Sequence, residues 1–444
     1  MTRLDRGTFR AALRSGICDP PVLFTPLVDI DRRSYARLER LDRKTLREHY
    51  DAAGERMDSK TFGQMRAATE RALRCAPDYL PAYRFHVGEL VNDEWLAAVD
   101  WHKPFHRDHV SHQVMCAFVG NTLLNGGHNG ELLFGGRSLL DWCVDVVTTS
   151  PKAEYLRNYF RNMGGASVFF DASALSRRLW KSLFREAFFL AAMYHDIGYP
   201  WQFVNNLHHQ LRNNAPGGNP IAEGADCIYR QFSDRLVLYP LNGYQCRGAT
   251  QPGEWTSRCI EMLRVGLAKS HGLPGALSVL HLNDCLRAYP AWESQFAASR
   301  FCVEWAAMAI MMHDFQPLYA GKKTAAYPHL RVSFARDPLS FVLTLVDQIQ
   351  DFGRLNAKFS RPNGSPTIEY MSPCHRVDLE IEPSAAEMTI KYFYSSTKDY
   401  CKNIRFKRDA QQEYFDPLTG YLHYDGFPVS TINLQAVYDP DNTW

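Results

Sequence analysis

The chain lacks a long uninterrupted hydrophobic run, because no window reaches the roughly 18 apolar residues that a membrane-spanning helix needs. Its first residues contain no apolar core of the signal-peptide type. An excess of charge of one sign is also missing, since 50 basic residues stand against 48 acidic ones and the formal net charge is +2. These absences argue against a membrane as a partner and make nucleic acid an unexpected one.

Patterned cysteines are lacking as well. The eleven cysteines are scattered along the chain, and none of them forms a Cys-x-x-Cys motif. An odd number of cysteines without an export signal argues against a disulfide framework, so we expect reduced thiols and a cytoplasmic location. The sequence also contains no internal repeat and no low-complexity tract.

What is present is an ordinary globular composition, with 45% hydrophobic and 22% charged residues. A length of 444 residues favours two or three domains. Residues 1–95 read as mainly helical and polar, whereas residues 96–360 contain longer and more apolar helical stretches. Residues 361–444 alternate apolar and polar positions over strand-length runs. The sequence therefore predicts a mainly α protein with an N-terminal helical region, a helical core and a small C-terminal β or α+β appendage.

The C-terminal region has a recognisable hairpin pattern. The segments "VDLEIE" and "EMTIKYF" each alternate in polarity, and the Pro, Ser and Ala residues between them are suited to a turn. Further candidate strands are "TIEYMS", "TGYLHYDG" and "STINLQAVY".

Two His-Asp doublets, His195-Asp196 and His313-Asp314, stand at the ends of strongly apolar helical stretches. A further acidic residue, Asp347, lies inside another apolar run. Burying such groups is costly unless a partner compensates them, and a metal cation is one such partner. A single histidine on an apolar helix face is more often a hydrogen-bonded core residue, so the combination of residues carries the hypothesis.

Other histidines occupy comparable positions. His109 and His112 lie at helical spacing on one face, and His271 directly precedes a glycine suited to a helix stop. Imidazole and carboxylate ligands on facing helices build metal sites in helical bundles, because they project into one shared interior. Such mixed nitrogen and oxygen ligand sets suit Mn, Fe, Co, Ni or Zn.

The order of these residues resembles the pattern His…His-Asp…Asp of the HD-domain superfamily of metal-dependent phosphohydrolases. The resemblance covers about residues 105–355 and rests on "DHVSHQVMCAFVG", "AAMYHDIGYP" and "LVDQIQDFGR". It implies an HD-domain helical core whose metal ligands are His112, His195, Asp196 and Asp347. His109 is the alternative first ligand, and His109 and Asp196 are the candidate catalytic groups for proton movement.

Two more histidines, His271 and His313, resemble the additional ligands of the two-metal HD subfamilies. In that arrangement Asp196 would bridge two ions and the two histidines would hold the second one. The resemblance therefore implies one or two divalent metal ions, chosen from Mn, Fe, Ni, Co, Zn and Mg. Two neighbouring ions can activate one water molecule and clamp the attacking and leaving oxygens.

The letters Gly198-Tyr199-Pro200 invite comparison with cyclic-di-GMP phosphodiesterases of the HD-GYP subfamily, whose ligand order is similar. In that subfamily the doublet continues to a lysine and the GYP letters lie far downstream. Here Tyr199 occupies the lysine position, so we do not assign that activity. We interpret Gly198 as a left-handed helix cap with Pro200 just beyond it, and Tyr199 and Trp201 as a pocket wall.

The function that the resemblance implies is hydrolysis of a phosphate ester by a metal-activated water. The expected partner is a small phosphorylated molecule, a nucleotide or cyclic nucleotide. Arg107, Lys269 and Arg354 lie beside the predicted ligands and would bind the substrate phosphate. Each of these three can equally be a helix-surface charge or an ion-pair partner. HD proteins often pair through their helices, so the resemblance leaves open whether this chain forms a homodimer.

Two other functions fit the same residues. The six-ligand pattern also resembles HD-type di-iron oxygenases, which use O₂ to cleave C–C or C–P bonds. A third hypothesis is a non-catalytic nucleotide-binding regulatory protein, although such a protein has no need for a site that activates water.

Overall fold

The computed structural model describes about half of the chain. The described residues are 2–5, 8, 105–107, 109–126, 133–162, 174–199, 264, 267, 270–287, 297–314, 331–352, 356–360, 367–371, 374–382 and 384–441. Most of the predicted N-terminal helical region therefore lies outside the described residues. Its described segment Thr2–Asp5 forms a β-strand.

Of the described residues, 58% are helical and 19% lie in strands, which confirms a mainly helical protein with a small sheet. The helices are α1 His109–Asn125, α2 Leu139–Thr149, α3 Glu154–Asn162, α4 Ala174–Tyr194, α5 Gly272–Arg287, α6 Ala297–His313, α7 Pro338–Ile349 and α8 Thr397–Arg405. Within the described ranges, no helix is both long enough and apolar enough to cross a bilayer.

The strands are short and most of them lie in the C-terminal part of the chain. They are β1 Thr2–Asp5, β2 Phe105–Arg107, β3 Val332–Ser333, β4 Asn356–Ser360, β5 Thr367–Met371, β6 Arg376–Glu382, β7 Glu387–Tyr394, β8 Leu422–His423 and β9 Thr431–Tyr438. The chain divides into two compact units. The mixed unit consists of Met1–Trp142 and Leu345–Trp444, and the helical unit consists of Cys143–Thr344.

In the helical unit, α6 is the central helix. Its side chains from Phe301 to His313 are all buried, and α6 packs against both α4 and α5. A helix that is apolar on every side has to be enclosed by other elements, because no face of it is suited to water. His313 at its C-terminal end is consequently a buried polar group.

An aromatic cluster fixes the packing between α3, α4 and α6. The ring of Phe301 lies 5.0 Å from Phe160, 5.8 Å from Trp180 and 5.3 Å from Trp305, measured between centroids. Buried aromatic side chains contribute about 1.5–3 kcal/mol each through removal of their surface from water, and tilted or edge-on pairs add to this. The cluster therefore fixes the positions of α4 and α6 relative to each other. His195 directly follows α4, and His313 is the last residue of α6.

A buried carboxyl group, Glu304, borders this cluster and accepts a hydrogen bond from the Tyr159 hydroxyl. Burial raises the pKa of Glu304 from 4.5 to about 8. Between these values the folded protein binds more protons than the unfolded chain. The contribution of protonated Glu304 to the free energy of unfolding is complete below pH 4.5 and is lost as the pH rises through 8.

We expect Glu304→Gln to remove part of this pH dependence, by about 1 kcal/mol per pH unit between pH 5 and 8. The amide keeps an acceptor for Tyr159 and cannot ionise. Urea unfolding followed by the fluorescence of Trp180 and Trp305 would measure the free energy of unfolding at each pH. The stability of the variant relative to the native protein is expected to increase as the pH rises. The exposed Glu154→Gln in the same unit should leave the slope unchanged, and an equal slope in Glu304→Gln would contradict the prediction.

The mixed unit contains a four-stranded sheet in the order β1-β6-β7-β9 and a three-stranded sheet in the order β2-β4-β5. The predicted hairpin is present, since β6 and β7 pair antiparallel from Arg376↔Phe393 to Glu382↔Glu387. Ala386 at its turn has φ +52°. In contrast, β9 pairs parallel to β7, and the crossover between them contains α8.

The crossover and β7 also hold the C-terminal end of α7. The Tyr392 hydroxyl donates to the carbonyl of Gln348 over 2.8 Å, and the Gln411 amide donates to the same carbonyl over 3.3 Å. Lys407 lies 3.1 Å from Asp351 in an ion pair that is buried on both sides. The two hydrogen bonds satisfy the Gln348 carbonyl, which the helix end leaves without an intrahelical partner, and together with the ion pair they fix the helix turn that carries Asp347.

Candidate metal centre

Two histidines of the helical unit share one local motif. His195 follows the last residue of α4, and its Nδ1 donates to the carbonyl of Ala192 over 2.9 Å. His313 ends α6, and its Nδ1 donates to the carbonyl of Ile310 over 2.5 Å. A carbonyl can only accept, so Nδ1 carries the hydrogen in both rings. Nε2 of each neutral ring therefore presents a lone pair.

A third histidine, His271, stands just before α5 and is oriented by a carboxylate. Its Nδ1 lies 2.9 Å from Asp314 Oδ2. The same carboxylate oxygen accepts from the Ser270 hydroxyl and from the His271 backbone N–H, each over 2.9 Å. These bonds direct His271 Nε2 away from Asp314. It lies 3.0 Å from His313 Nε2 and 3.3 Å from Asp196 Oδ1.

The surroundings of His271 favour a positive charge. Burial alone lowers its pKa, but the carboxylates of Asp314 and Asp196 outweigh burial and raise the pKa to about 10. Burial likewise raises the pKa of Asp314, yet the neighbouring His271 holds it below its ordinary value. Two imidazole nitrogens 3.0 Å apart beside a carboxylate need a cation between them, whether a proton or a metal ion.

Ligand atoms of His195, Asp196 and His313 lie within 4.8 Å of one another, and all three side chains are buried. Asp196 Oδ1 is 3.4 Å from His195 Nε2. The rings of His195 and His313 stand perpendicular with centroids 5.1 Å apart. The helical unit thus gathers three imidazoles around one carboxylate.

Tyr199, which the sequence analysis places in a pocket wall, stacks on His271 at 4.0 Å between ring centroids and 15° between planes. It thereby fixes the plane of that imidazole. Trp201, the other predicted wall residue, lies outside the described residues.

The mixed unit holds the remaining two predicted ligands. His112 on α1 is buried, and its Nε2 lies 2.9 Å from Asp347 Oδ1 on α7. Its Nδ1 is hydrogen-bonded to the side-chain oxygen of Gln350. Cys116 lies one helix turn after His112, with its Sγ 3.6 Å from both ring nitrogens. The ligand atoms of His112, Cys116 and Asp347 lie within 4.8 Å of one another.

The donor set fits a divalent transition metal. Metal-binding histidines usually donate their second ring N–H to a carbonyl, an amide oxygen or a carboxylate, which fixes the tautomer and the ring orientation. All four predicted histidine ligands have such a partner, and their Nε2 atoms face carboxylates or another Nε2. Imidazole nitrogen with carboxylate oxygen suits Mn, Fe, Co, Ni and Zn.

Comparison with protein-family models, with curated proteins and with solved structures finds no match to this chain. Membership of the HD-domain superfamily therefore stays a prediction.

The described part of the chain does not include the other predicted site side chains. His109 begins α1, and Arg107 lies in β2 opposite Asn356, but the side chains of both lie outside the described residues. Lys269 and Arg354 lie outside them entirely. Their assignment to proton movement and phosphate binding stays a prediction.

The residues that orient the candidate ligands were not among those predicted from the sequence. Asp314 and Gln350 bind the Nδ1 atoms of His271 and His112, respectively. Asp314 is the second member of the second His-Asp doublet, and Gln350 lies three residues after Asp347. Cys116 stands four residues after His112, so helical spacing was the available signal for it.

The interpretation of Gly198 as a left-handed cap is wrong, because its φ does not lie in that region. Its backbone instead packs tightly against the segment that begins α5. A Cβ atom at this position would lie 1.8 Å from the carbonyl oxygen of His271 and 2.7 Å from the nitrogen of Gly275. Glycine is required here by close approach of two backbones, which brings Tyr199 onto the His271 ring.

We expect Asp314→Asn to weaken metal binding by about 10–100-fold, because replacing a partner of a metal-binding histidine usually has an effect of this size. The carboxylate charge of Asp314 orients His271 and raises its basicity, and the amide of asparagine lacks this charge. Calorimetric titration with Mn²⁺ or Zn²⁺ would measure the change. Asp145→Asn, which removes the partner of Arg177 in the same unit, should bind as the native protein does. Equal affinity in Asp314→Asn would contradict the assignment of this carboxylate.

Proposed function

We propose that this protein is a metal-dependent phosphohydrolase of the HD-domain type, with a nucleotide or cyclic nucleotide as its substrate class. The observation that carries the proposal is a local environment that each of the four buried histidines has within its own unit. Each ring has its Nδ1 engaged by an acceptor of the protein, which leaves Nε2 to bind a cation beside a carboxylate. Four buried rings with Nδ1 occupied and Nε2 facing a carboxylate or another Nε2 favour a metal site over a purely structural role.

In the proposed centre, His195, Asp196, His271 and His313 of the helical unit hold one or two divalent ions. The resemblance adds His112 and Asp347 to the ligands, and this assignment stays a prediction. A bound divalent ion would lower the pKa of a water molecule towards neutrality and polarise a phosphoryl oxygen.

The chain's own residues supply the orientation and the charge of this site. Asp196 is a carboxylate that is 2% exposed, and it lies within 3.4 Å of two imidazole nitrogens. Its charge offsets that of the cation in surroundings that exclude water, where such interactions are strong. Asp196 and His109 are the proposed acceptors for the proton of the attacking water.

The proposal is tested first by elemental analysis of the purified protein and then by a substrate screen. Nucleotides, cyclic dinucleotides and phosphomonoesters are incubated anaerobically with Mn²⁺, Co²⁺, Ni²⁺, Zn²⁺ or Mg²⁺, and released phosphate or nucleoside monophosphate is measured. Turnover that disappears in the double variant His195→Ala, Asp196→Ala supports hydrolysis. A protein that binds no metal would refute it.

The same measurements separate the two other functions. Iron in the protein together with O₂ consumption and no hydrolysis would indicate a di-iron oxygenase. Nucleotide binding that persists without turnover, and that the double variant leaves unchanged, would indicate a regulatory protein.

A further inference from the structure

The mixed unit carries a sulfur donor next to its two predicted metal ligands. Cys116 follows His112 by four residues on α1, so both side chains lie on one face of the helix. Asp347 on α7 faces the same point. Cys116 is fully buried and His112 is 1% exposed, whereas Asp347 is partly exposed. We call these three side chains the thiol cluster of the mixed unit.

The sulfur is near the imidazole, and a rotation of the Cys116 side chain would bring both donors onto one ion. Sγ of Cys116 lies 3.6 Å from Nε2 and also 3.6 Å from Nδ1 of His112, so it stands beside the ring and not in line with the Nε2 lone pair. Zinc–sulfur and zinc–nitrogen bonds of about 2.3 and 2.05 Å at the tetrahedral angle place their donor atoms about 3.6 Å apart. Nε2 is also 2.9 Å from Asp347 Oδ1, a hydrogen bond that a bound cation would replace.

The orientation of the imidazole is set from its other side. The Gln350 side-chain nitrogen donates to the carbonyl of Phe352 over 2.9 Å and lies 3.1 Å from the Met115 sulfur. This bond identifies the amide nitrogen, so the Gln350 oxygen is the atom that meets His112 Nδ1. Nδ1 therefore carries the hydrogen, and the lone pair of neutral His112 is on Nε2, towards Asp347 Oδ1.

We infer that Cys116 is a thiolate ligand that, with His112 and Asp347, binds a divalent cation and selects its identity. The inference rests on the proposed function for the roles of His112 and Asp347. When the ion binds, the Cys116 thiol releases its proton to solvent and a sulfur–metal bond forms. A soft thiolate favours Zn²⁺, Co²⁺ or Fe²⁺ over Mg²⁺. The thiol cluster therefore excludes magnesium as the resident ion at this position.

The test is a cobalt titration of the full-length protein followed by absorbance. The native protein is expected to develop a near-ultraviolet sulfur-to-cobalt charge-transfer band together with visible ligand-field bands. Cys116→Ser should lose the charge-transfer band and bind Zn²⁺ at least tenfold more weakly. The matched control is Cys302→Ser, because Cys302 is also buried but its thiol donates to the carbonyl of Leu183.

The outcomes distinguish this inference from the proposed function. Ligand-field bands without a charge-transfer band in the native protein would overturn the thiolate and leave the metal-dependent function standing. Absence of any cobalt or zinc binding would overturn both. Since a serine in a buried position can perturb folding, X-ray absorption of the zinc-loaded native protein provides a second measurement. A sulfur scatterer at about 2.3 Å supports the inference, and a shell of nitrogen and oxygen alone refutes it.

Discussion

Replacing Asp196 with asparagine is expected to abolish stable metal binding by the helical unit and to reduce phosphate release by about a thousandfold. The physical reason is charge. Asp196 Oδ1 lies 3.4 Å from His195 Nε2 and 3.3 Å from His271 Nε2, so it is the anionic partner of two ligand nitrogens. A thousandfold loss corresponds to about 4 kcal/mol, within the several kcal/mol that a metal's stabilisation of transition-state charge supplies.

The substitution separates charge from shape, because asparagine has nearly the volume of aspartate. We expect the metal-free variant to fold with a lower thermal unfolding temperature, because Asp196 is one of the two carboxylates that hold the buried His271 charge. Metal content after dialysis and the rate of phosphate release with Mn²⁺ are the two measurements. Asp145→Asn is the matched control, since it removes an aspartate of the same unit whose partner is the partly exposed Arg177. Metal content equal to that of the native protein would remove Asp196 from the centre.

The residue pattern selected the candidate ligands of the helical unit, but it predicted less about the surroundings of these residues. His195 and His313 could be selected because a polar group at the end of an apolar run needs a compensating partner. Their hydrogen bonds to Ala192 and Ile310 are also local in the chain, since each ring donates to a carbonyl three residues earlier at a helix end. Local spacing along one chain segment is the information that a sequence carries directly.

The partners of the other two rings could not be predicted in this way. Asp314 reaches His271 across 43 positions in the chain, and Gln350 reaches His112 across 238. Such contacts depend on the packing of helices against each other and on side-chain rotamers. Neither leaves a periodic signal in the sequence.

The sheet shows the same division between local pattern and long-range arrangement. The alternation in β6 and β7 predicted strands, because each strand has one buried and one more exposed face. The parallel pairing of β9 with β7 was not predictable from that alternation. Nor was the pairing of Thr2–Asp5 with β6, since its four residues are too short a pattern within a region dominated by helical spacing.

Gly198 illustrates a limit of reading glycine from a sequence. A glycine permits positive φ, and it also permits another backbone to approach closely. The letters of the chain do not distinguish these two uses. The structure identifies the second, with the carbonyl of His271 at the position that a side chain would need.

Replacing Gly198 with alanine is therefore expected to destabilise the helical unit by about 3 kcal/mol or more and to disrupt the metal centre at the same time. The added Cβ would lie 1.8 Å from the His271 carbonyl oxygen, so one of the two backbones must move. His271 and the stacked Tyr199 lie on the two sides of that contact. Displacement of either would move His271 Nε2 away from Asp196 and His313.

Two other glycines allow a graded comparison. Gly275→Ala would place its Cβ 3.2 Å from the Cγ2 methyls of Ile197 and Ile310 and 3.3 Å from the backbone nitrogen of Gly198. These contacts need shifts of only a few tenths of an ångström, so a smaller loss is expected. Gly136→Ala meets no atom within 4 Å and tests only the cost of φ +76°. Urea unfolding and Zn²⁺ titration of the three variants would measure both effects. If Gly198→Ala lost no more stability than Gly136→Ala, or kept native Zn²⁺ affinity, close backbone approach would not be what positions His271.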